Sequence, residues 1–207
     1  MKKSLFVIML VVLCLFSFVS CKEDKSEEVI QNYVEFMRVK NLAHWLNNAL
    51  ESSIEDLPAG TVTVASSDAY SIANIAEIFL EVGKNSDCNT RKFSSASGTI
   101  SGTYTDEDNY DVTFNNVQLT FTLTMVDEDG ELVVDLLDKV MTINGTLTKS
   151  EDGEWTSYSC NVTIGIEGYS EKSYSFSYTK NELNYKSAIL NGVEIDSRLL
   201  NPIVISD

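Results

Sequence analysis

The sequence is poor in basic residues, histidine and proline. Against 31 aspartates and glutamates it contains 15 lysines and arginines, one histidine and two prolines. The resulting formal charge of −16 argues against binding modes that neutralise phosphates, so nucleic acids are poor candidate partners. The single histidine, His44, has no second histidine or cysteine at metal-ligand spacing, and we interpret it as a structural or exposed residue.

Sequence motifs of the common chemistries are also missing. The chain has no glycine-rich phosphate loop, no His-Glu-x-x-His, no Cys-x-x-Cys and no Gly-x-Ser-x-Gly. The acidic run at 106–111 does not follow EF-hand spacing and is interpreted as a solvated hairpin tip. We therefore predict no cofactor, no metal and no enzymatic activity. A glycan hydrolase that uses two carboxylates stays open as an alternative, because that reaction needs only a pair of acids.

The chain is rich enough in apolar residues to fold. Of its 207 residues, 43% are hydrophobic and 10% are aromatic. This composition supports a buried core and argues against intrinsic disorder. The length suits one ordinary domain and is short for two, so we expect a single core.

Residues 1–20 have the plan of a secretory signal peptide. Lys2 and Lys3 come first, an apolar stretch follows from Leu5 to Val19, and small or polar residues come next. The apolar stretch is shorter than the ~20 residues that a helix needs to cross a bilayer. Cleavage after export is therefore favoured over a retained membrane span.

The end of this segment, Phe18-Val19-Ser20-Cys21, resembles the lipobox of bacterial lipoproteins. In that family a small residue precedes a cysteine that is diacylated before the signal peptide is cut. The resemblance implies that Cys21 carries lipid and becomes the first mature residue. It also implies that the lipid bilayer is a partner and that the protein is anchored to the cell envelope.

Residues 21–28 read as the lipidated cysteine and an acidic tether. The run Lys22-Glu23-Asp24 after Cys21 is similar to export signals that carry some Gram-negative lipoproteins to the outer membrane and its outer surface. A charged linker without any such signal is the alternative. Without the signal peptide, 13 basic residues face 31 acidic ones, a formal charge of −18, which favours a domain held in water.

The mature chain, 29–207, is predicted to be one α+β domain. Apolar residues spaced three and four apart predict an amphipathic helix over about 27–57 and a second over about 68–83. Ser26 is the expected N-cap of the first helix, and Gly83 the expected stop of the second.

Beyond residue 85 the apolar period changes from 3.6 to 2. Val117–Met125, Tyr158–Ile166 and Tyr174–Tyr178 alternate as strands do, and weaker patterns predict strands at 99–104, 110–115, 132–148, 183–190 and 193–195. The short connections permit only hairpins, which predicts an antiparallel meander over about 98–205. We expect both helices to cover one face of this curved sheet, in a half-barrel or sandwich-like arrangement. The residues expected on the covered face are Leu119, Phe121, Leu123, Met141, Ile143, Val162, Ile164, Phe176 and Tyr178.

Cys88 and Cys160 are the two cysteines that remain in addition to Cys21 after processing. An even number in an exported protein suggests a disulfide between them. Cys160 alternates with apolar neighbours, however, so a buried free thiol is the other interpretation.

The polar side of the predicted sheet carries hydroxyls and amides where a solvated sheet usually has some lysine and glutamate. The candidate binding residues are Thr120, Thr122, Thr124, Ser157, Ser159, Asn161, Ser175 and Ser177. The high β-propensity of threonine offers an explanation without function. The functional interpretation is an interaction surface for a glycan, a peptide strand or another protein. The alternative to such a surface is a carrier of a small apolar ligand, with a cavity lined by Phe121, Ile164 and Phe176.

Overall fold

The computed structural model describes residues 27–57, 60–82 and 86–201. The predicted signal peptide, Cys21, the tether through Ser26 and the final residues 202–207 lie outside the described residues, as does Gly83. The fold is α+β, with helices at the N-terminal end followed by an open antiparallel sheet.

The first predicted helix is bent. Helix α1 covers residues 27–39 and α2 covers Leu42–Glu55, with a turn at Lys40 and Asn41 between them. Lys40 N donates to Phe36 O (2.9 Å) at the end of α1, and Trp45 N donates to Asn41 O (3.0 Å) at the start of α2. Because buried apolar residues occur on both sides of the bend, both segments keep their apolar side against the core.

Helix α3, Ala69–Leu80, confirms the second predicted helix to within three residues at its end. Asp68 is its N-cap, and its carboxylate accepts hydrogen bonds from Ser71 N (2.7 Å) and Ser71 Oγ (2.6 Å). Burial opposes ionisation of Asp68, but these hydrogen bonds and the nearby Arg91 outweigh it and hold its pKa below the ordinary value. The left-handed residue that ends the helix is Glu81 (φ 59°) and not a glycine.

The sheet has eight strands whose spatial order is their order in the sequence, and every neighbouring pair is antiparallel. The predicted meander is therefore confirmed. The strands are β1 Val62–Thr63, β2 Ser86–Asp106, β3 Asn109–Asp127, β4 Leu132–Asp152, β5 Trp155–Ile166, β6 Lys172–Lys180, β7 Tyr185–Leu190 and β8 Val193–Glu194. A short helix, α4 (Ser197–Leu200), follows the last strand.

The sheet begins earlier in the chain than predicted. Strand β1 lies between α2 and α3, and β2 starts at Ser86 where the prediction began at residue 99. The pairing of β2 with β3 shifts register between Cys88 and Thr90, between Phe93 and Ser95, and again just beyond. Each irregularity interrupts the alternation of faces, so this half of β2 shows no period of two in the sequence.

One apolar core fills the space between the helices and the sheet. All nine residues predicted for the covered face are buried, so this prediction is confirmed. The helices contribute Phe36, Leu46, Leu50, Ile72, Ile75 and Phe79, which belong to the same buried cluster. The outer face of the sheet is left to solvent.

At three glycines, Gly98, Gly102 and Gly145, neighbouring strands approach so closely that no side chain fits. A Cβ on Gly145 of β4 would lie 2.1 Å from Asn161 O, and one on Gly98 of β2 would lie 2.2 Å from Asn116 O. Gly145 and Gly98 have positive φ, 125° and 93°. Such positions bend a strand inside a sheet, which agrees with a curved meander.

Candidate functional site

The register of the sheet aligns small polar side chains of different strands into rows on the outer face. One such row runs through Ser101, Thr113, Thr146, Asn161 and Ser175. We use the name hydroxyl face for the accessible, uncharged polar side chains that point outward on β3 to β6. They are Thr113, Asn115, Gln118, Thr120, Thr122, Thr142, Asn144, Thr146, Thr148, Ser150, Ser157, Ser159, Asn161, Thr163, Ser173, Ser175, Ser177 and Thr179.

Side chains of the hydroxyl face bond to one another across strands. Ser175 Oγ donates to Asn161 Oδ1 (2.6 Å), and the hydroxyls of Ser157 and Thr179 lie 2.9 Å apart. Thr163 Oγ1 and Ser173 Oγ form a third such pair at 3.1 Å. These bonds restrict rotamers before any partner arrives, so a bound partner would cost less side-chain entropy than on a surface of free side chains.

Seven of the eight predicted binding residues belong to the hydroxyl face, and Thr124 does not. Thr124 points outward by register, but only 9% of it is exposed. Its Oγ1 accepts a hydrogen bond from Asn89 Nδ2 of β2 at 3.4 Å. The irregular start of β2 covers this position, and the sequence of β3 alone carries no sign of that.

Carboxylates near the hydroxyl face stand at its margins. Thr148 Oγ1 donates to Asp111 Oδ1 (3.2 Å), and Thr122 Oγ1 donates to Asp138 Oδ1 (3.3 Å). Glu171, in the β5–β6 hairpin, packs over Gly165. The interior rows of the face are neutral, although the chain as a whole has a charge of −16.

Two shallow depressions lie on the hydroxyl face. One of about 200 Å³ is lined by Ser157, Ser159, Ser177 and Thr179 together with Ser187 of β7. The other, of about 300 Å³, is lined by residues of β4, β5 and β6, including Asn144, Gly145, Asn161, Thr163, Ser173 and Ser175. Both expose hydroxyls or amides that donate and accept hydrogen bonds.

An aromatic ring stands at one end of this face. Trp155 begins β5 and, two residues before Ser157, shares its outward direction. Lys186 Nζ lies 5.6 Å from the centroid of the Trp155 ring. The sequence patterns of the polar face did not indicate Trp155, because it lies beyond the alternating stretch from which that strand was predicted.

A mixed-charge cluster closes the C-terminal end of α3 on the helix side of the sheet. Arg38 bonds to Glu35 and to Ile78 O, and Lys172 Nζ donates to Phe79 O (2.6 Å) and Glu81 Oε1 (2.7 Å). The hydrogen bond from Lys172 lowers the pKa of Glu81. A general acid needs a raised pKa, which Glu81 lacks. Arg38 and Lys172 instead cap the C-terminal end of α3, because they donate to its last carbonyl groups.

The other polar residues considered as metal ligands, His44 and the acidic run at 106–111, do not form a common site. His44 is exposed with Nε2 3.2 Å from Asn48 Nδ2, and partial burial lowers its pKa, with Lys180 and Lys149 acting in the same direction. Asp106 Oδ1 accepts hydrogen bonds from Asp108 N and Asn109 Nδ2, both at 3.0 Å, within the hairpin tip. Across the ranges that the structure describes, no three His, Cys, Asp or Glu residues group in a way that could hold a metal ion.

Cys88 and Cys160 are free thiols, so the disulfide interpretation of the sequence is wrong. Cys88 lies on β2 and Cys160 on β5, with β3 and β4 between them. Three strand spacings of about 4.8 Å separate them by about 14 Å or more, beyond the reach of a disulfide. Complete burial raises the pKa of the Cys160 thiol and keeps it protonated.

An apolar cleft of about 420 Å³ opens between the end of α3 and the start of β4. Its apolar lining comprises Leu80, Val82, Val133, Val134 and Tyr169. The three residues predicted to line a ligand cavity, Phe121, Ile164 and Phe176, are instead packed in the core.

Comparison of the chain with protein families, curated proteins and solved structures found no match. Within the described ranges, no helix combines the length and the apolar character that crossing a membrane requires.

Proposed function

We propose that this chain is a lipid-anchored protein of the bacterial cell envelope that binds a neutral glycan through its hydroxyl face and catalyses no reaction. The observation that carries the proposal is the continuity of neutral hydroxyls and amides over four neighbouring strands in a chain of charge −16. Acidic residues are abundant elsewhere, so the neutrality of this face is a local property.

The chemistry of the face favours a glycan. Sugar hydroxyls donate and accept hydrogen bonds, as do Ser, Thr, Asn and Gln side chains. Trp155 adds an aromatic ring at the end of the rows, where an apolar sugar face could stack. The negative charge of the whole domain disfavours polyanionic partners, which leaves neutral glycans ahead of acidic polymers. A protein partner is the alternative occupant.

The finer architecture is part of the proposal. Glycine kinks at Gly98 and Gly145 and the irregularities of β2 are devices that bend a sheet into a half-barrel. The outer face of such a sheet is convex and accessible along its length, which suits an extended polymer.

The membrane anchor is tested by Cys21→Ser. We expect the wild-type mature chain to carry acyl mass and to enter the detergent phase on Triton X-114 partitioning, because each buried CH₂ contributes about 0.8 kcal/mol. Since an uncut signal peptide is itself apolar, the variant is compared after removal of residues 1–20, and it should then lose both properties. Cys14→Ser is the matched control and should behave as wild type, since the large Leu13 precedes Cys14 where the lipobox has a small residue. A Cys21→Ser chain that still enters the detergent phase would refute the anchor.

The hydroxyl face is tested by the double variant Thr120→Glu and Ser159→Glu. Thr122 is left unchanged because a glutamate there would lie beside the Asp138 carboxylate and repel it within the protein. A bound glycan would cover the two new carboxylates and leave them without partners of opposite charge. We therefore expect the affinity for immobilised neutral envelope polysaccharide to fall at least about tenfold, or about 1.4 kcal/mol. Biolayer interferometry measures the affinity, and urea denaturation should show nearly unchanged stability.

The matched control carries the same added charge elsewhere. Gln31 and Ser52 are exposed on α1 and α2, and the double variant Gln31→Glu and Ser52→Glu should bind as wild type. Equal losses in both double variants would assign the effect to net charge. Wild-type affinity in the Thr120 and Ser159 variant would remove the hydroxyl face as the site.

The apolar cleft favours a second candidate function, the carriage of a small apolar ligand. Its volume of about 420 Å³ falls in the range of ligand sites, and four of its eight lining residues are aliphatic, beside Tyr169, Ser86, Asp127 and Asp135. Saturable binding of a fluorescent fatty acid, with the same affinity in the Thr120 and Ser159 variant, would favour this function over glycan binding.

A further inference from the structure

Helix α1 has an apolar stripe that the core does not use. Ile30, Val34 and Met37 are exposed to 54%, 58% and 36%. Their spacing of four and three residues places them along one side of the helix. Phe36 and Val39, on a different side of α1, are buried in the core, so the stripe is additional to the face that holds the helix on the sheet.

The stripe lies close in the chain to the proposed lipid anchor. Six residues lead from Cys21 to Glu27, where the described part of α1 begins. Even fully extended, six residues span only about 20 Å. Acyl chains on Cys21 would therefore hold α1 next to the bilayer surface. At such a high effective concentration, a weak apolar contact is enough to dock the helix.

Charge around the stripe selects the kind of lipid. The two cations of α1 and its following turn have partners within the protein: Arg38 bonds to Glu35, and Lys40 Nζ donates to Tyr185 Oη at 2.8 Å. Glu27 and Glu28, in the first described turn, are exposed. With these acids and a formal charge of −18 without the signal peptide, an anionic membrane surface would repel this side of the protein.

We infer that Ile30, Val34 and Met37 dock α1 on the surface of a zwitterionic lipid bilayer. This inference rests on the proposed acylation of Cys21. It gives the domain an orientation, because the helices lie on one face of the sheet and the hydroxyl face lies on the other. The hydroxyl face then points away from the bilayer.

The test uses the acylated full-length mature chain on phosphatidylcholine vesicles. A fluorophore is attached at Val34→Cys or, as the matched control on the outer face, at the exposed Thr146→Cys. Both variants include Cys88→Ser, and Cys160 is fully buried, so each chain has one accessible thiol. Doxyl-labelled phosphatidylcholine should quench the probe at position 34 at least about twofold more than the probe at position 146.

Two further measurements identify the contact. Adding Ile30→Glu should lower quenching at position 34 to the level at position 146, while the chain still floats with the vesicles. Including phosphatidylglycerol should weaken the quenching at low salt, and added salt should restore it.

Each outcome bears on a different part of the inference. A wild-type chain that does not float overturns the lipid anchor and the docking with it. A chain that floats but shows equal quenching at the two positions overturns the docking alone. If the probe at position 34 responds to the number of chains per vesicle and not to doxyl lipid, a second copy covers the stripe, and lipid docking is wrong.

Discussion

Replacing Gly145 by alanine is expected to lower the free energy of unfolding by about 3–5 kcal/mol. The new Cβ would lie 2.1 Å from Asn161 O, a backbone atom of the neighbouring strand that cannot move without separating β4 from β5. The backbone at Gly145 also has a φ of 125°, which side-chain-bearing residues rarely adopt. Urea denaturation followed by circular dichroism measures the loss.

Gly130 is the matched control for this prediction. It also has a positive φ, of 80°, but a Cβ there would meet nothing within 4 Å. Gly130→Ala should therefore cost only the backbone penalty, about 1 kcal/mol. Comparable losses at Gly145 and Gly130 would show that the close approach of β4 and β5 does not constrain the sheet.

Replacing Phe36 by alanine is expected to cost about 3–5 kcal/mol, because it leaves a cavity between α1 and the sheet. Phe36 has no exposed surface, and its ring meets those of Tyr178 and Tyr185 edge-on, with centroids 5.9 and 6.0 Å away. These contacts join α1 to β6 and β7. The midpoint of urea unfolding, followed by circular dichroism, reports the loss.

Val34, two residues earlier on the same helix, provides the comparison. It is 58% exposed and has no place in the core, so Val34→Ala should change stability by less than about 0.5 kcal/mol. Equal effects at positions 34 and 36 would contradict the packing of α1 described here. The same pair also bears on the lipid inference, since only Val34 should contribute to docking on vesicles.

The proposed anchor, the proposed docking stripe and the hydroxyl face place membrane attachment and partner binding on opposite sides of the domain. The proposed anchor and the stripe of α1 belong to the helix side, whereas the polar rows of β3 to β6 belong to the opposite side of the sheet. A protein arranged in this way would present the proposed glycan site to the space beyond the membrane.

Local alternation was enough to predict the central strands and which side of each is buried. The apolar positions of β3, β5 and β6 follow a period of two, and residues such as Leu119, Ile164 and Phe176 are buried as predicted. Short polar connections were enough to predict the antiparallel order of the sheet. The meander and the outward direction of the candidate binding residues followed from these two features, and their role in binding stays a prediction.

The prediction failed where long-range contacts decide the structure. The first half of β2 has no alternation because irregularities in its pairing with β3 interrupt the period. The bend at Lys40 and Asn41 could not be read from an apolar stripe that continues through it. Thr124 was assigned to the accessible face because its burial comes from Asn89 of a neighbouring strand.

The sequence by itself determined the α+β class, the meander, the buried face and the neutral polar face, because these depend on the period of side chains along each strand or helix. It also supplies the signal-like N-terminus on which the proposed anchor rests. Only the tertiary structure decided that Cys88 and Cys160 lie too far apart to bond, that Gly145 touches Asn161, and that part of α1 stays uncovered. These properties depend on distances between segments remote in the chain, which only strand register and helix packing determine.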